Sequence, residues 1–248
     1  MYIGVTTALM SAIALGAVTS ADTTLRSGKD TVKAHCFRPE GKGPFPALVV
    51  LHGDFGLTGW VKEQARRLAS KGYVTLAIDL YRGELPKDVE EAHIIERALP
   101  QERVLRDLKA GVDYLCGQPE VRKDRLGVIG WDIGGGYALD CAIHDPRIRA
   151  VVVCYGRLPT EPKRLTNLSG SVLGIFAEKD EGISADTRKR FENAMRKAGK
   201  RLAGLHVLKG VGNGFMDPDS PYREGPPSTA AATEAWRRID DYLAVELK

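Results

Sequence analysis

The chain has 248 residues, 43% hydrophobic and 27% charged, with 36 basic against 32 acidic residues and a formal net charge of +4. This composition suits one globular domain long enough to bury a full core. The interspersed charges, without a long basic tract or aromatic–basic interleaving, speak against nucleic-acid binding, and no apolar stretch is long enough for a membrane-spanning helix.

The N-terminus stands apart. Residues 8–18, ALMSAIALGAV, form an apolar run, and Thr19-Ser20-Ala21 follows as a small-residue site. That order is the pattern of a secretory signal, although the preceding MYIGVTT carries no Lys or Arg. Residues 1–21 are therefore expected to be a signal peptide or an apolar appendage, with residues 22–248 as the domain. Export follows from the first reading and a cytoplasmic location from the second.

Further along, Thr31 to Phe37 alternates as a half-buried strand, and residues 47–51 (ALVVL) read as a buried parallel strand. Trp60 to Ser70 has helical periodicity, and Tyr73 to Ile78 is a second buried strand. Val89 to Leu99 reads as a helix stopped by Pro100, and Arg103 to Cys116 as another. Later strands are expected at 126–130, Ile148 to Tyr155, Val172 to Ala177 and Leu202 to Leu208. Helices are expected at Tyr137 to His144, Ser184 to Ala198 with Ser184 as N-cap, and Thr229 to Glu246. Strands alternating with helices imply parallel βαβ units, with helices on both faces of one open sheet. Four scattered cysteines (Cys36, Cys116, Cys141, Cys154), without a C-x-x-C pair, suggest neither a zinc site nor a disulfide framework.

The chemistry-bearing stretch is GWDIGGG, residues 130–136. A strand, a glycine-flanked turn and a helix are the setting of a nucleophile elbow, G-x-S-x-G. Gly130 and Gly134 stand where the two glycines belong, but the central residue is Asp132. A carboxylate suits a helix N-terminus, and aspartate tolerates the positive φ of an elbow tip better than most residues.

Six blocks in order carry a resemblance: FPALVVLHGDFGL (45–57), ARRLASKGYVTLAIDLY (65–81), LGVIGWDIGGGYAL (126–139), CYGRLP (154–159), LGIFAEKDEGI (173–183) and GVGNGFMDP (210–218). The chain resembles the dienelactone hydrolase family of α/β-hydrolases from about Thr24 to its C-terminus. The resemblance implies an α/β-hydrolase fold, a mostly parallel central sheet in a single domain without a large cap. It also implies a Cys or Ser nucleophile on the elbow, an acid after a late strand and a histidine near the end. Here those positions are Asp132, Asp180 and Asn213. The glutamate of the family's His-Glu loop is replaced in His52-Gly53, and Asp217 stands where some members carry a substrate-gripping arginine. Arg82 is then the nearest remaining anion anchor. Phe55, Arg82, Trp131 and Ile133 are expected at the ligand pocket, at the carboxyl ends of the strands.

Acyl transfer needs an attacking group and a base that changes protonation near neutral pH. An asparagine amide cannot shuttle a proton. Asn213 does have two N–H donors and could bridge Asp132 and Asp180 in a hydrogen-bonded line without proton transfer. One reading is a non-catalytic binding protein with a degenerate triad, taking a small-molecule ligand. A second is a divergent hydrolase in which Asp132 attacks carbon, as in haloalkane dehalogenases and epoxide hydrolases, or serves as base for a bound water. A third is residual ester or lactone hydrolysis by another nucleophile, for which Cys154 in an apolar strand is a poor candidate. A cation held by Asp132, Asp180, Glu181 and Asn213 has the right hard oxygens, but no loop has dedicated metal spacing. No cofactor and no resident metal are expected.

Overall fold

The computed structural model describes residues 17–223 and 229–248. Eight strands form one sheet in the order β1-β2-β4-β3-β5-β6-β7-β8. They are β1 (Val18–Ser27), β2 (Asp30–Pro39), β3 (Phe45–Leu51), β4 (Val74–Ile78), β5 (Val121–Trp131), β6 (Ile148–Cys154), β7 (Ser171–Ala177) and β8 (Leu202–Leu208). β1 and β2 form an antiparallel hairpin at one edge, and β2 also runs antiparallel to β4. From β4 to β8 every pairing is parallel.

The helices are α1 (Gly59–Ser70), α2 (Val89–Ala98), α3 (Gln101–Gly117), α4 (Ile133–His144), α5 (Ala185–Lys197) and α6 (Thr229–Leu247). They cover both faces because the middle strands are apolar on both sides. Alternate residues of β3 divide between two cores. Ala47, Val49 and Leu51 pack with Val104, Leu108 and Val112 of α3, Ala138 of α4 and Phe191 of α5. Leu48 and Val50 pack with Val61, Ala65 and Leu68 of α1 and with Ile239 and Leu243 of α6. Thr58 and Ser184 cap α1 and α5 through their side-chain oxygens, each satisfying a backbone donor that the helix leaves free. The result is an α/β-hydrolase fold in a single domain.

Three elements differ from expectation. β1 is an added strand, hidden in the sequence because it lies at an exposed edge and buries only Leu25 and Ser27. β5 begins at Val121, five residues early, through the charged segment Arg122 to Arg125. α4 begins at Ile133 rather than Tyr137, because Gly134 to Gly136 are helical despite poor helix propensity. Most of the apolar run 8–18 lies outside the described residues. Val18 to Ala21 belong to β1, opposite Cys36 to Pro39. Among the described residues, no helix is long and apolar enough to cross a membrane.

Candidate functional site

β5 delivers its last residue, Trp131, directly into the elbow. Asp132 has φ 47° and ψ −120°, and α4 starts at the next residue. The Asp132 N–H donates to the Cys154 carbonyl at 3.1 Å, and the Gly135 N–H donates to the Asp132 carbonyl at 3.0 Å. These bonds hold a backbone conformation that L-residues rarely adopt. Gly134 is required by close approach, since a Cβ there would lie 2.3 Å from the His52 carbonyl oxygen. Facing the elbow, Gly53 has no side chain, and a Cβ on it would lie 2.7 Å from Asp132 Oδ2. The bare Gly53 backbone thus makes room for the Asp132 carboxyl group.

The three positions matched by resemblance, Asp132, Asp180 and Asn213, follow β5, β7 and β8 at the carboxyl end of the sheet. Asp180 follows β7 and is 8% exposed. Its Oδ1 accepts from the N–H groups of Gly182 at 2.9 Å and Ile183 at 3.2 Å, and its Oδ2 is buried without a partner. Asn213 follows β8, and its Oδ1 accepts from the Gly214 N–H at 2.6 Å. Hydrogen bonding from Asn213 favours the ionised form of Asp132. Among the described residues no hydrogen bond joins Asn213 to Asp180. The expected Asp–Asn–Asp line is broken at Asp180, whose carboxylate turns to its own loop.

Carboxyl groups crowd the elbow. Burial pushes the Asp132 pKa well above the usual carboxylate range, and the nearby Asp54, Asp180 and Asp217 raise it further, against the opposing pull of Asn213. The cause is physical: an ionised carboxylate loses solvation and meets like charges. Burial also raises Asp217, and it raises Cys154 well above the ordinary thiol value. A neutral, fully buried thiol is a poor nucleophile.

One contact was not expected from the sequence. The Ile133 N–H, first in α4 and immediately after the apex, donates to Asp54 Oδ1 at 3.2 Å. In an elbow this amide is one of the oxyanion donors. The second Asp54 oxygen accepts from the Tyr222 hydroxyl at 3.0 Å, which lies 3.3 Å from His93 Nε2 on α2. Asp54 belongs to the quoted HGDFG block, so its neighbourhood was legible but its partner was not. Tyr222 carried no signal.

Beneath Asp54 lies a cavity of about 30 Å³ lined by Asp54, Phe55, Thr58, Trp60, Trp131, Asp132, Tyr155, Asp217 and Ser220. That is space on the scale of one water molecule. Phe55 and Trp131 line the cavity together with Asp132. Ile133 contributes its amide, while its side chain is buried in the core. Arg82 does not line this cavity. Its guanidinium pairs with Asp107 of α3 at 2.8 Å, and that carboxylate is fully buried. The ion pair runs through Nη2, and Nη1 is buried without a partner.

Every imidazole of the chain is committed elsewhere. His52 is buried, with Nδ1 at 2.7 Å from the Gly53 carbonyl and Nε2 accepting from the Leu80 N–H. His35 pairs with Asp22, His144 with the Asp140 carbonyl and His206 with Arg238. His93 reaches Tyr222 rather than the apex. Among the described residues, no group of three or more His, Cys, Asp or Glu side chains is arranged to hold a metal ion.

The profile of the dienelactone hydrolase family matches residues 32–247. The chain belongs to the dienelactone hydrolase family. A protein of Methylorubrum extorquens named "Putative carboxymethylenebutenolidase" is 31% identical over 227 residues, covering 86% of this chain and 76% of the relative. A Bradyrhizobium protein named "Probable 2-oxo-3-(5-oxofuran-2-ylidene)propanoate lactonase" is 32% identical over 224 residues, covering 85% of this chain and 88% of the relative. Among solved structures, a dienelactone hydrolase-like promiscuous phosphotriesterase from metagenomic libraries superposes with a TM-score of 0.83 at 25% identity. That match covers 94% of this chain and all of the other. Within that family's fold, this chain carries Asp132 on the turn between β5 and α4, Asp180 after β7 and Asn213 after β8.

Proposed function

We propose that this chain is a non-catalytic member of the dienelactone hydrolase family, a small-molecule-binding protein whose elbow no longer cleaves esters or lactones. The observation that carries the reading is the state of the proton carrier. An amide stands at the base position, and all five imidazoles have other partners. Loss of a triad member leaves only the residual catalysis of binding and oxyanion donors, several orders of magnitude down. Here the Ile133 donor is also occupied by Asp54, which weakens that residue further.

A second reading is favoured by the hydrolase names of the relatives. In it Asp132 attacks a carbon centre, forming an alkyl ester on its own side chain while the leaving group departs with the bonding electrons. The raised pKa of Asp132 opposes this, because the neutral acid is a weak nucleophile.

Assay of purified protein with p-nitrophenyl acetate separates the two. The binding reading expects hydrolysis at the buffer rate, unchanged in Asp132→Asn, and turnover appearing when Asp132→Cys is combined with Asn213→His. Saturable turnover by the unaltered chain that disappears in Asp132→Asn would overturn it in favour of a hydrolase in which the Asp132 carboxylate takes a proton from a water that attacks the acyl carbon and expels p-nitrophenolate. A stable mass increase on Asp132 after incubation with an alkyl halide or epoxide would overturn it in favour of the second reading.

A further inference from the structure

The elbow's amide donor is not waiting for a ligand, because a side chain of the same protein already fills its acceptor position. We propose that Asp54 is an internal ligand, a latch that holds the elbow's anion site closed and must swing away before an external oxyanion can enter. The inference rests on the binding reading and names what its pocket accepts: a small carboxylate of the shape of an aspartate side chain.

Asp54 is held at both oxygens. Oδ1 takes the Ile133 N–H at the start of α4, where backbone donors and the helix dipole favour negative charge. Oδ2 takes the Tyr222 hydroxyl. Tyr222 is itself placed by His93, whose ring stacks on it at 6.2 Å, and by Phe55, edge-on at 5.6 Å. The latch therefore joins the β3–α1 loop, α2 and the loop after β8, and it closes over a void too small for an organic ligand.

The latch is also placed to move. Asp54 and Phe55 are the central residues of a turn closed by the Gly56 N–H on the Gly53 carbonyl at 3.1 Å. Rotation of the Asp54 side chain alone would release Ile133. Asp132 and Asp217 line the same cavity, so their carboxyl groups make a site that tolerates one carboxylate but resists a second. An external oxyanion and Asp54 therefore exclude each other.

Asp54→Gly deletes a CH₂COO⁻ group, which is acetate less one hydrogen, so sodium acetate is the matched probe. Trp60 and Trp131 line the cavity and report occupancy through intrinsic fluorescence. Asp54→Gly should bind acetate saturably, at least about tenfold more tightly than the unaltered protein, the scale of one hydrogen bond to a charged group. Acetate should raise its Tm, and neutral acetamide should do neither. Equal acetate affinity in the unaltered protein and a folded Asp54→Gly would overturn the proposal, as would an equal response to acetamide. Should Asp54→Gly fail to fold, Tyr222→Phe frees one latch oxygen. It should strengthen acetate binding to a smaller degree, and unchanged binding there would also overturn the proposal. Ester turnover by the unaltered protein refutes the non-catalytic reading and leaves these binding outcomes untouched, so the two failures are distinguishable.

Discussion

Asp132→Asn is nearly isosteric and removes one titrating group from among Asp54, Asp132, Asp180 and Asp217. In the folded protein, burial and then the charges of Asp54, Asp180 and Asp217 raise the Asp132 pKa above its ordinary 3.8. The folded chain then holds a proton that the unfolded chain has released, so stability falls as pH rises from the unfolded value through the folded one. Each pH unit inside that window costs up to about 1.4 kcal/mol. The asparagine variant lacks this loss, and its stability relative to the unaltered protein should climb with pH by up to that slope until the folded pKa is passed. Asp217 and Glu96, also raised by burial, are present in both proteins and largely cancel in the difference. Urea unfolding at steps from about pH 5 to about pH 8 reads the slope directly. Parallel stability profiles would refute the reasoning, since they would mean that Asp132 ionises as easily folded as unfolded. A difference that shrinks with rising pH would mean that Asn213 and the helix terminus outweigh burial.

Other outcomes follow from the same geometry. Arg82→Ala leaves the fully buried Asp107 unpaired and should cost about 3–5 kcal/mol in chemical denaturation. Gly134→Ala drives a Cβ against the His52 and Leu51 carbonyls; because backbone cannot yield as a side-chain end can, it should destabilise by more than the roughly 1–3 kcal/mol typical of overpacking. Gly53→Ala should be destabilising in the unaltered chain and close to neutral beside Asp132→Gly, a coupling that a double-mutant cycle on urea midpoints measures. In the Asp132→Cys, Asn213→His background, adding Asp54→Gly frees the Ile133 N–H and should raise esterase kcat by roughly 10²–10³, the worth of one oxyanion donor.

The sheet was legible because its inner strands are continuous apolar runs such as ALVVL, which have no comfortable place except between two helical layers. β1 was not legible, since an edge strand facing water on one side needs no apolar alternation, and VTSADTTLRS offers none. The glycine start of α4 was hidden for the opposite reason: packing of α4 against the sheet overrides the local preference of three glycines. Asp132, Asp180 and Asn213 could be placed because each sits in a local block with its own spacing. Arg82 could not, because its direction is decided by Asp107 on a helix that begins nineteen residues later. Asp54 and Tyr222 are far apart in the chain and meet only through the fold. Long-range polar pairs of this kind leave no periodicity to read.

The bare backbone at position 53 also ties two distant parts of the chain together. An added Cβ there would meet the Asp132 carboxyl group, so the side chains that the loop after β3 accepts depend on the one carried at the apex after β5.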